Sequence, residues 1–330
     1  MKTGSHIFMG VRKLIDADVI RISETLDVPV GKLYMLSNDR PPRKRRRKSK
    51  YTNYHTVIIH RGRGHRNRKL SVPNNFLKMV QRRILDCYLY KLDVSKFSTA
   101  YCKGKSLLDN ASPHVGKECV VKLDISHFFD NIDDDMVFMI MRQLGMSMPA
   151  TTLLTQLCVH NGVLPQGAPT SPHIANLVMK HFDEKLGAWC SERNITYTRY
   201  CDDMTFSGTK KAIRSSHLVS KIKRMLYHMG FTLNEKKTVF VSSSQLQKVT
   251  GIVVNEKPQI SREMRRMIRQ EVYYCTKFGV TDSLKRKGLD ISEKEYLHSL
   301  LGRISFALQI DPANVEMQGY FNTVKNLISK

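Results

Sequence analysis

Three acids carry the most specific chemical information in the chain. Asp202 and Asp203 are adjacent, and the strand-like stretches Tyr197-Thr198-Arg199-Tyr200 and Met204-Thr205-Phe206-Ser207 flank them as the arms of a hairpin. Neighbouring carboxylates repel each other, and each raises the other's pKa unless a cation is present. Alone, the pair reads most simply as a solvent-facing turn, where Asp is common. A third carboxylate changes that balance. Asp124 ends the apolar run Cys119-Val120-Val121-Lys122-Leu123. If that strand lies beside the hairpin, the three acids can hold two hard divalent cations roughly 4 Å apart. Such a clamp lowers the pKa of an attacking hydroxyl and steadies a leaving pyrophosphate, which is in-line phosphoryl transfer. Periodicity alone cannot make the strands neighbours.

The acids stand out because the chain is basic. Its 330 residues include 54 Lys+Arg and 29 Asp+Glu, a net charge of +25, and 41% are hydrophobic. That hydrophobic content excludes a disordered chain, and the charge calls for nucleic acid or an acidic membrane surface as partner. No stretch approaches the ~20 apolar residues of a spanning helix. Arg12, Lys13 and Asp16 break any signal-peptide core, so a soluble intracellular protein is expected. Seven scattered cysteines with no Cys-x-x-Cys pair argue against a zinc site or a disulfide framework.

Thirteen Lys/Arg and no acid fall between Arg40 and Lys69. The run Arg43–Lys50 follows Pro41-Pro42 and reads as an extended linker, either solvated or in contact with phosphates. The stretches 54–59 and 66–73 read as arms of a hairpin around Arg61-Gly62-Arg63-Gly64-His65. Its arginines could lie over a triphosphate or simply face solvent.

Around these groups the periodicity predicts helices over 6–38, 74–92, 136–144, 153–158 and 212–229. Ser171-Pro172 predicts a further helix, with Ser171 as N-cap and Ile174, Val178, Phe182, Leu186 and Trp189 as its buried stripe. Short strands are expected at 196–200, 204–207, 231–233, 239–242 and 249–254. After Pro258 the chain is helical and basic. Strands alternating with helices, then a helical tail, predict an α+β fold.

Three segments, taken in order, resemble the palm motifs of reverse transcriptases. They are Asp124-Ile125-Ser126-His127-Phe128-Phe129, Leu164-Pro165-Gln166-Gly167-Ala168-Pro169-Thr170-Ser171-Pro172 and Tyr200-Cys201-Asp202-Asp203. Asn110-Ala111-Ser112-Pro113-His114 and Val249-Thr250-Gly251 are similar to two elements of retron reverse transcriptases. The length also fits an enzyme that ends after its thumb. The resemblance covers residues 50–255 well and both flanks loosely. It implies a right-hand polymerase fold: an N-terminal helical and basic extension (1–50), fingers and a palm with an antiparallel sheet plus helices (51–255), and a helical, RNA-binding thumb (256–330). It implies an RNA-directed DNA polymerase of the bacterial cytoplasm. Such an enzyme uses its cognate structured noncoding RNA as template and 2′-OH primer, and makes branched msDNA for anti-phage defence. The partners implied are that RNA, the RNA–DNA hybrid, dNTPs and a separate effector protein, with no membrane. The alternatives are a group II intron-like or diversity-generating reverse transcriptase, or an RNA-binding scaffold with an inactive palm.

The resemblance also assigns roles. Asp124, Asp202, Asp203 and the Ile125 carbonyl would hold two Mg2+ ions, with Mn2+ as a substitute. Arg61 and Arg68 would hold the triphosphate, and Gln166 and Gly167 would lie against the nucleotide. Phe129 would exclude a ribose 2′-OH, although on a strand only one of Phe128 and Phe129 can face the site. Lys237 would protonate the pyrophosphate, with Lys236 as the neighbouring register. Asn110, His114, Val249, Thr250 and Gly251 would select RNA, or else form a buried histidine and a tight turn. Arg262, Arg265, Arg266 and Arg269 share neighbouring helical turns and would form a basic RNA face. Cys201 stands where retron enzymes usually carry Ala; it is small enough to keep activity, with a thiol open to oxidation.

Overall fold

The computed structural model describes residues 15–38, 52–60 and 67–329. In chain order, α1 (Ala17–Leu26) and α2 (Val30–Ser37) precede a hairpin of β1 (Tyr54–Ile59) and β2 (Arg68–Pro73). Then come α3 (Asn75–Cys87), the short α4 (Leu107–Ala111) and β3 (Cys119–Ser126). Next are α5 (Asp134–Arg142), α6 (Met148–Cys158) and the long α7 (Ser171–Ser191). The hairpin of β4 (Thr196–Tyr200) and β5 (Asp203–Gly208) leads to α8 (Lys210–Ser215) and α9 (Leu218–Tyr227). Short strands follow: β6 (Thr232–Leu233), β7 (Val239–Ser242), β8 (Lys248–Val249) and β9 (Ile252–Val253). Helices α10 (Arg262–Phe278), α11 (Val280–Lys287), α12 (Glu293–Ile310) and α13 (Val315–Ile328) come last. Every strand pair is antiparallel, and the mixture is α+β as expected.

The described residues divide into two compact units: those up to Ser95 with His127–His181, and Lys96–Ser126 with those from Phe182 onward. In the first unit β1 and β2 pair in register from Tyr54↔Pro73 to Ile59↔Arg68. Asn74 then caps α3, its side chain accepting from the Leu77 amide. Gly167 lies against β2. A Cβ there would stand 2.9 Å from the Ser71 carbonyl oxygen, and its φ of +132° is open to glycine and little else.

In the second unit β3 is the central strand. Its residues are almost continuously buried because it is covered on both faces. It pairs with β5 on one side and with β7 and β6 on the other, while β4 lies outside β5. The C-terminal helices build one apolar cluster with Val249, Ile252, Val254, Ala111 and Val120. They therefore share a core with the β8–β9 hairpin and the sheet.

Several expected elements are interrupted by residues with left-handed backbone. The region expected as one helix over 6–38 is, within the described residues, α1 and α2, broken at Asp27 (φ +48°) and Pro29. The 212–229 helix is divided into α8 and α9 at His217 (φ +47°). The expected strand 249–254 is a hairpin, with positive φ at both Thr250 and Gly251, as a two-residue turn of type I′ demands. Helix α7 begins at Ser171 itself. The Ser171 hydroxyl donates to the Pro165 carbonyl at 2.7 Å, so it ties down the preceding loop instead of capping the helix.

Candidate active site

Register alone brings two of the three acids together. Asp124 on β3 and Asp203 on β5 are direct cross-strand partners. Tyr200 pairs with Asp203, so Cys201 and Asp202 are the two residues of a tight turn between β4 and β5. The turn is fastened to β3 by the Ile125 amide, which donates to the Asp202 carbonyl at 3.1 Å. The Ile125 side chain lies in the core.

Asp124 is 5% exposed and both its oxygens are engaged. Asn234 Nδ2 donates to Oδ1 at 3.1 Å, and Lys237 Nζ donates to Oδ2 at 2.7 Å. Lys237 ends the short turn Glu235–Lys237, which brings its ammonium to Asp124; among the two neighbouring lysines the site therefore contains Lys237. That bond to Asp124 raises the Lys237 pKa above its ordinary value, so the group is charged at neutral pH. Asp203 is pushed the other way, up to about 6. Loss of water around its carboxyl is the main cause, followed by the charges of Asp202 and Asp124. A site that penalises its own negative charge in this way is suited to a cation.

The donors are all hard oxygens, the kind that Mg2+ takes. Among the described residues, however, no three His, Cys, Asp or Glu side chains close into a ligating arrangement. Lys237 and Asn234 occupy Asp124 instead. The donor set thus fits divalent ions in chemistry, with Lys237 as the group that must yield.

Cys201 is buried and sits at φ +61°. Burial pushes its thiol up to about 12, so at neutral pH almost none is thiolate. This corrects the expected oxidation liability, because the reactive form is suppressed. All seven cysteines are free.

Of the residues expected to meet the nucleotide, the first unit gathers Arg68, Gln166 and Gly167. Arg68 Nε donates to Gln166 Oε1 at 2.9 Å, and Gln166 Nε2 donates to Asp130 Oδ1 at 3.3 Å. Asp130 is a member that the motifs did not point to. Arg61 and the run Arg43–Lys50 lie outside the described residues. Phe128 and Phe129 are not on a strand, since β3 ends at Ser126 and His127 turns at φ +49°. Both rings are buried, 5.5 Å apart, so the one-faces-in rule for strands does not apply to them.

The residues expected to select RNA divide. Asn110, His114 and Val249 are at most 1% exposed. The His114 ring nitrogens lie 2.7 Å from Ser207 Oγ and 2.8 Å from Thr198 Oγ1. The Thr198 hydroxyl also donates to the Asn110 carbonyl, so His114 donates from Nε2 and accepts at Nδ1. Burial holds this histidine neutral, its pKa lowered to about 3. The Asn110 amide reaches Thr250 Oγ1 at 3.5 Å, so the two motifs touch each other. These side chains have no surface to offer RNA; the expectation of direct contact is corrected to a role beneath the β4–β5 hairpin and the Thr250-Gly251 turn. On α10, Arg262, Arg266 and Arg269 are exposed and Arg265 is half-buried. Arg269 is already bound to Glu316 through Nε and Nη2, at 2.9 and 2.7 Å.

Among the described residues no helix is long and apolar enough to cross a membrane. The reverse transcriptase (RNA-dependent DNA polymerase) family matches residues 61–267. The retron Ec86 reverse transcriptase of Escherichia coli is 33% identical over 251 residues, which cover 74% of this chain and 72% of that protein. The retron Ec83 reverse transcriptase of Escherichia coli is 32% identical over 265 residues, covering 76% and 80%. Among solved structures, apo telomerase from Candida tropicalis is similar at 11% identity and a TM-score of 0.49, over 87% of this chain and 59% of that one. With Asp124 and Asp203 paired on adjacent strands, the family model matching residues 61–267 and relatives above 30% identity over about three quarters of the chain, the chain belongs to the retron reverse transcriptases, which are RNA-directed DNA polymerases.

Proposed function

We propose that this polymerase copies its own cognate structured noncoding RNA, priming from a 2′-OH of that RNA and releasing branched msDNA. The observation that carries the catalytic part is the register pairing of Asp124 with Asp203, with Asp202 in the β4–β5 turn beside Asp203 and Lys237 on Asp124. Asp124, Asp202, Asp203 and the Ile125 carbonyl are the groups to hold two Mg2+ ions, or Mn2+ in their place. When bound, such ions lower the pKa of the attacking hydroxyl and offset the charge of the triphosphate. Lys237, charged at neutral pH, is the proton donor to the pyrophosphate once it leaves Asp124. Arg68 supplies a guanidinium to the triphosphate, joined by Arg61, while Gln166 and the bare backbone at Gly167 admit the base and sugar. Phe129 is the candidate gate against a 2′-OH.

On the RNA side, the candidates that keep exposed surface are Arg262, Arg266 and Gly251, with Arg265 and Thr250 half-buried and Arg269 engaged by Glu316, and the helices from residue 256 act as thumb. Residues 51–255 act as fingers and palm, and 1–50 as the basic extension. RNA is read there through shape and phosphates. The enzyme acts in the bacterial cytoplasm, beside a separate effector protein in anti-phage defence. The test is co-expression with the flanking noncoding RNA, followed by analysis of the DNA made. A 2′,5′-branched product that is absent from the Asp202→Asn/Asp203→Asn double variant supports the reading. Unbranched cDNA from an added primer alone points to another bacterial reverse transcriptase. No DNA from either protein overturns the polymerase assignment.

A further inference from the structure

Beneath the Cys201-Asp202 turn lies a buried ion pair that the polymerase chemistry does not itself call for. Arg199, on β4, and Asp183, on α7, have side chains with no exposed surface. The pair is bidentate. Arg199 Nε lies 2.9 Å from Asp183 Oδ1 and Nη2 lies 2.7 Å from Oδ2. The Tyr197 hydroxyl adds a third bond, donating to Asp183 Oδ1 at 2.7 Å. The backbone of Arg199 is held as well: its amide donates to the Phe97 carbonyl at 2.8 Å, and its carbonyl accepts from the Thr99 amide at 2.9 Å.

The remaining arm of the fork points at the turn. Arg199 Nη1 donates to the Cys201 carbonyl at 2.9 Å. Cys201 holds φ +61°, a region that costs a residue with a Cβ and persists where its surroundings over-determine it. Two bonds hold the consecutive peptides that flank Asp202: Arg199 holds the Cys201 carbonyl, and the Ile125 amide holds the Asp202 carbonyl. A buried ion pair is a poor way to gain stability, because apolar side chains of similar volume do as well or better. No apolar pair, however, could hold the Cys201 carbonyl.

We propose that Asp183 and Arg199 are positioning residues. Asp183 orients the Arg199 guanidinium, which pins the strained Cys201 peptide and thereby sets Asp202 and Asp203 opposite Asp124 for divalent-cation binding. This rests on the carboxylate site proposed above and adds the support that holds it in shape. Supports of this kind typically change metal affinity by about 10- to 100-fold when removed.

Mn2+ binding, followed by electron paramagnetic resonance on the full chain, tests it without relying on activity. Arg199→Lys keeps the charge and loses the fork. The expected result is about tenfold weaker Mn2+ binding, with near-ultraviolet circular dichroism like the wild type. Adding Cys201→Gly should recover most of that loss, since glycine takes positive φ without the anchoring bond. A folded Arg199→Lys protein that binds Mn2+ as the wild type does overturns the proposal. So does a loss that Cys201→Gly leaves unrepaired, because the pair would then serve the fold alone. If Arg199→Lys does not fold, Tyr197→Phe removes only the hydroxyl bond to Asp183. About threefold weaker Mn2+ binding is then expected, and an unchanged curve overturns the proposal. Wild-type protein that binds no Mn2+ would instead sink the carboxylate site itself, which keeps the two failures distinct.

Discussion

The acids around β3 and β5 and the cluster of Arg68, Gln166 and Gly167 belong to different units, and different physics holds them. Asp124 and Asp203 are placed by strand register, on a sheet whose central strand is buried on both faces. The β4–β5 turn that carries Asp202 is secured from below by backbone and guanidinium bonds. Arg68 and Gln166 hold each other through one exposed side-chain bond, at the mouth of a hairpin whose outer residues face solvent. Chemistry that depends on placement within a fraction of an ångström needs the first kind of support. A charged ligand that brings its own contacts can be received by the second. The comparison predicts steep losses without unfolding at the acids, and graded, salt-sensitive losses at the arginine.

The sharpest break is at Asp203. Asp203→Asn should lower dNTP incorporation by about 10^3-fold, the scale of losing a charge that acts on the transition state. Its folded pKa is raised, so at pH 7 the ionised carboxyl works against the fold. The thermal midpoint of the variant should therefore stay level or rise. A parallel fall in midpoint and rate would mean that Asp203 is a structural residue. Lys237→Met should come next, with about a 10^2-fold fall in the chemical rate measured in single turnover. Lys236→Met, which lacks a bond to the acids, should lose less. If the two lysine variants fall equally, Lys237 has no special part in the reaction.

These residues were legible in the sequence because each lies inside a short motif whose identity does not depend on distant contacts. The α+β class and most strand positions were legible for the same reason: alternation and apolar runs are local signals. What holds the motifs was not legible. Asn234 reaches Asp124 across 110 residues, and nothing about an Asn in a polar loop announces it. Asp183 follows Phe182 on a helix where a surface carboxylate would look the same; its burial exists only once β4 packs there. The break at His217 is another example. No glycine or proline marks it, yet His217 takes a left-handed φ of +47° between α8 and α9. His114 was legible as a motif and illegible as a role, because periodicity does not say that both ring nitrogens are satisfied inside.

That histidine yields a pH test of how deeply the acid-bearing hairpin is supported. Folded His114 is neutral, with its pKa lowered to about 3 by burial, whereas an unfolded histidine titrates near 6.5. Between these values the unfolded chain binds a proton that the folded one refuses, so stability falls as the pH drops. The His114 contribution is complete above pH 6.5 and declines by about 1.4 kcal/mol per unit below it, reaching a loss of about 2 kcal/mol at pH 5. Urea midpoints of wild type and His114→Gln, compared from pH 7 to 5, isolate this term. The wild type should lose stability more steeply, and the two curves should converge towards pH 5. Parallel curves would show that His114 is accessible and protonated in the folded protein.

The smallest expected effect tests the other side of the comparison. Arg68→Ala should raise the KM for dNTP by about tenfold, the worth of one charge-assisted hydrogen bond at a site open to water. The maximal rate should change little, because the guanidinium is not carried on the sheet that holds the acids. Added salt should weaken dNTP binding by the wild type, and the variant should respond less, since it has one exposed charge fewer to screen. Gln166 accepts from Arg68 and donates to Asp130, so Gln166→Ala should release the guanidinium and reproduce part of the KM rise. The double variant should then fall well short of the product of the two single effects, as expected for neighbours that act as one unit. If the effects multiply, Arg68 and Gln166 meet the nucleotide independently, and the bond between them is incidental to binding.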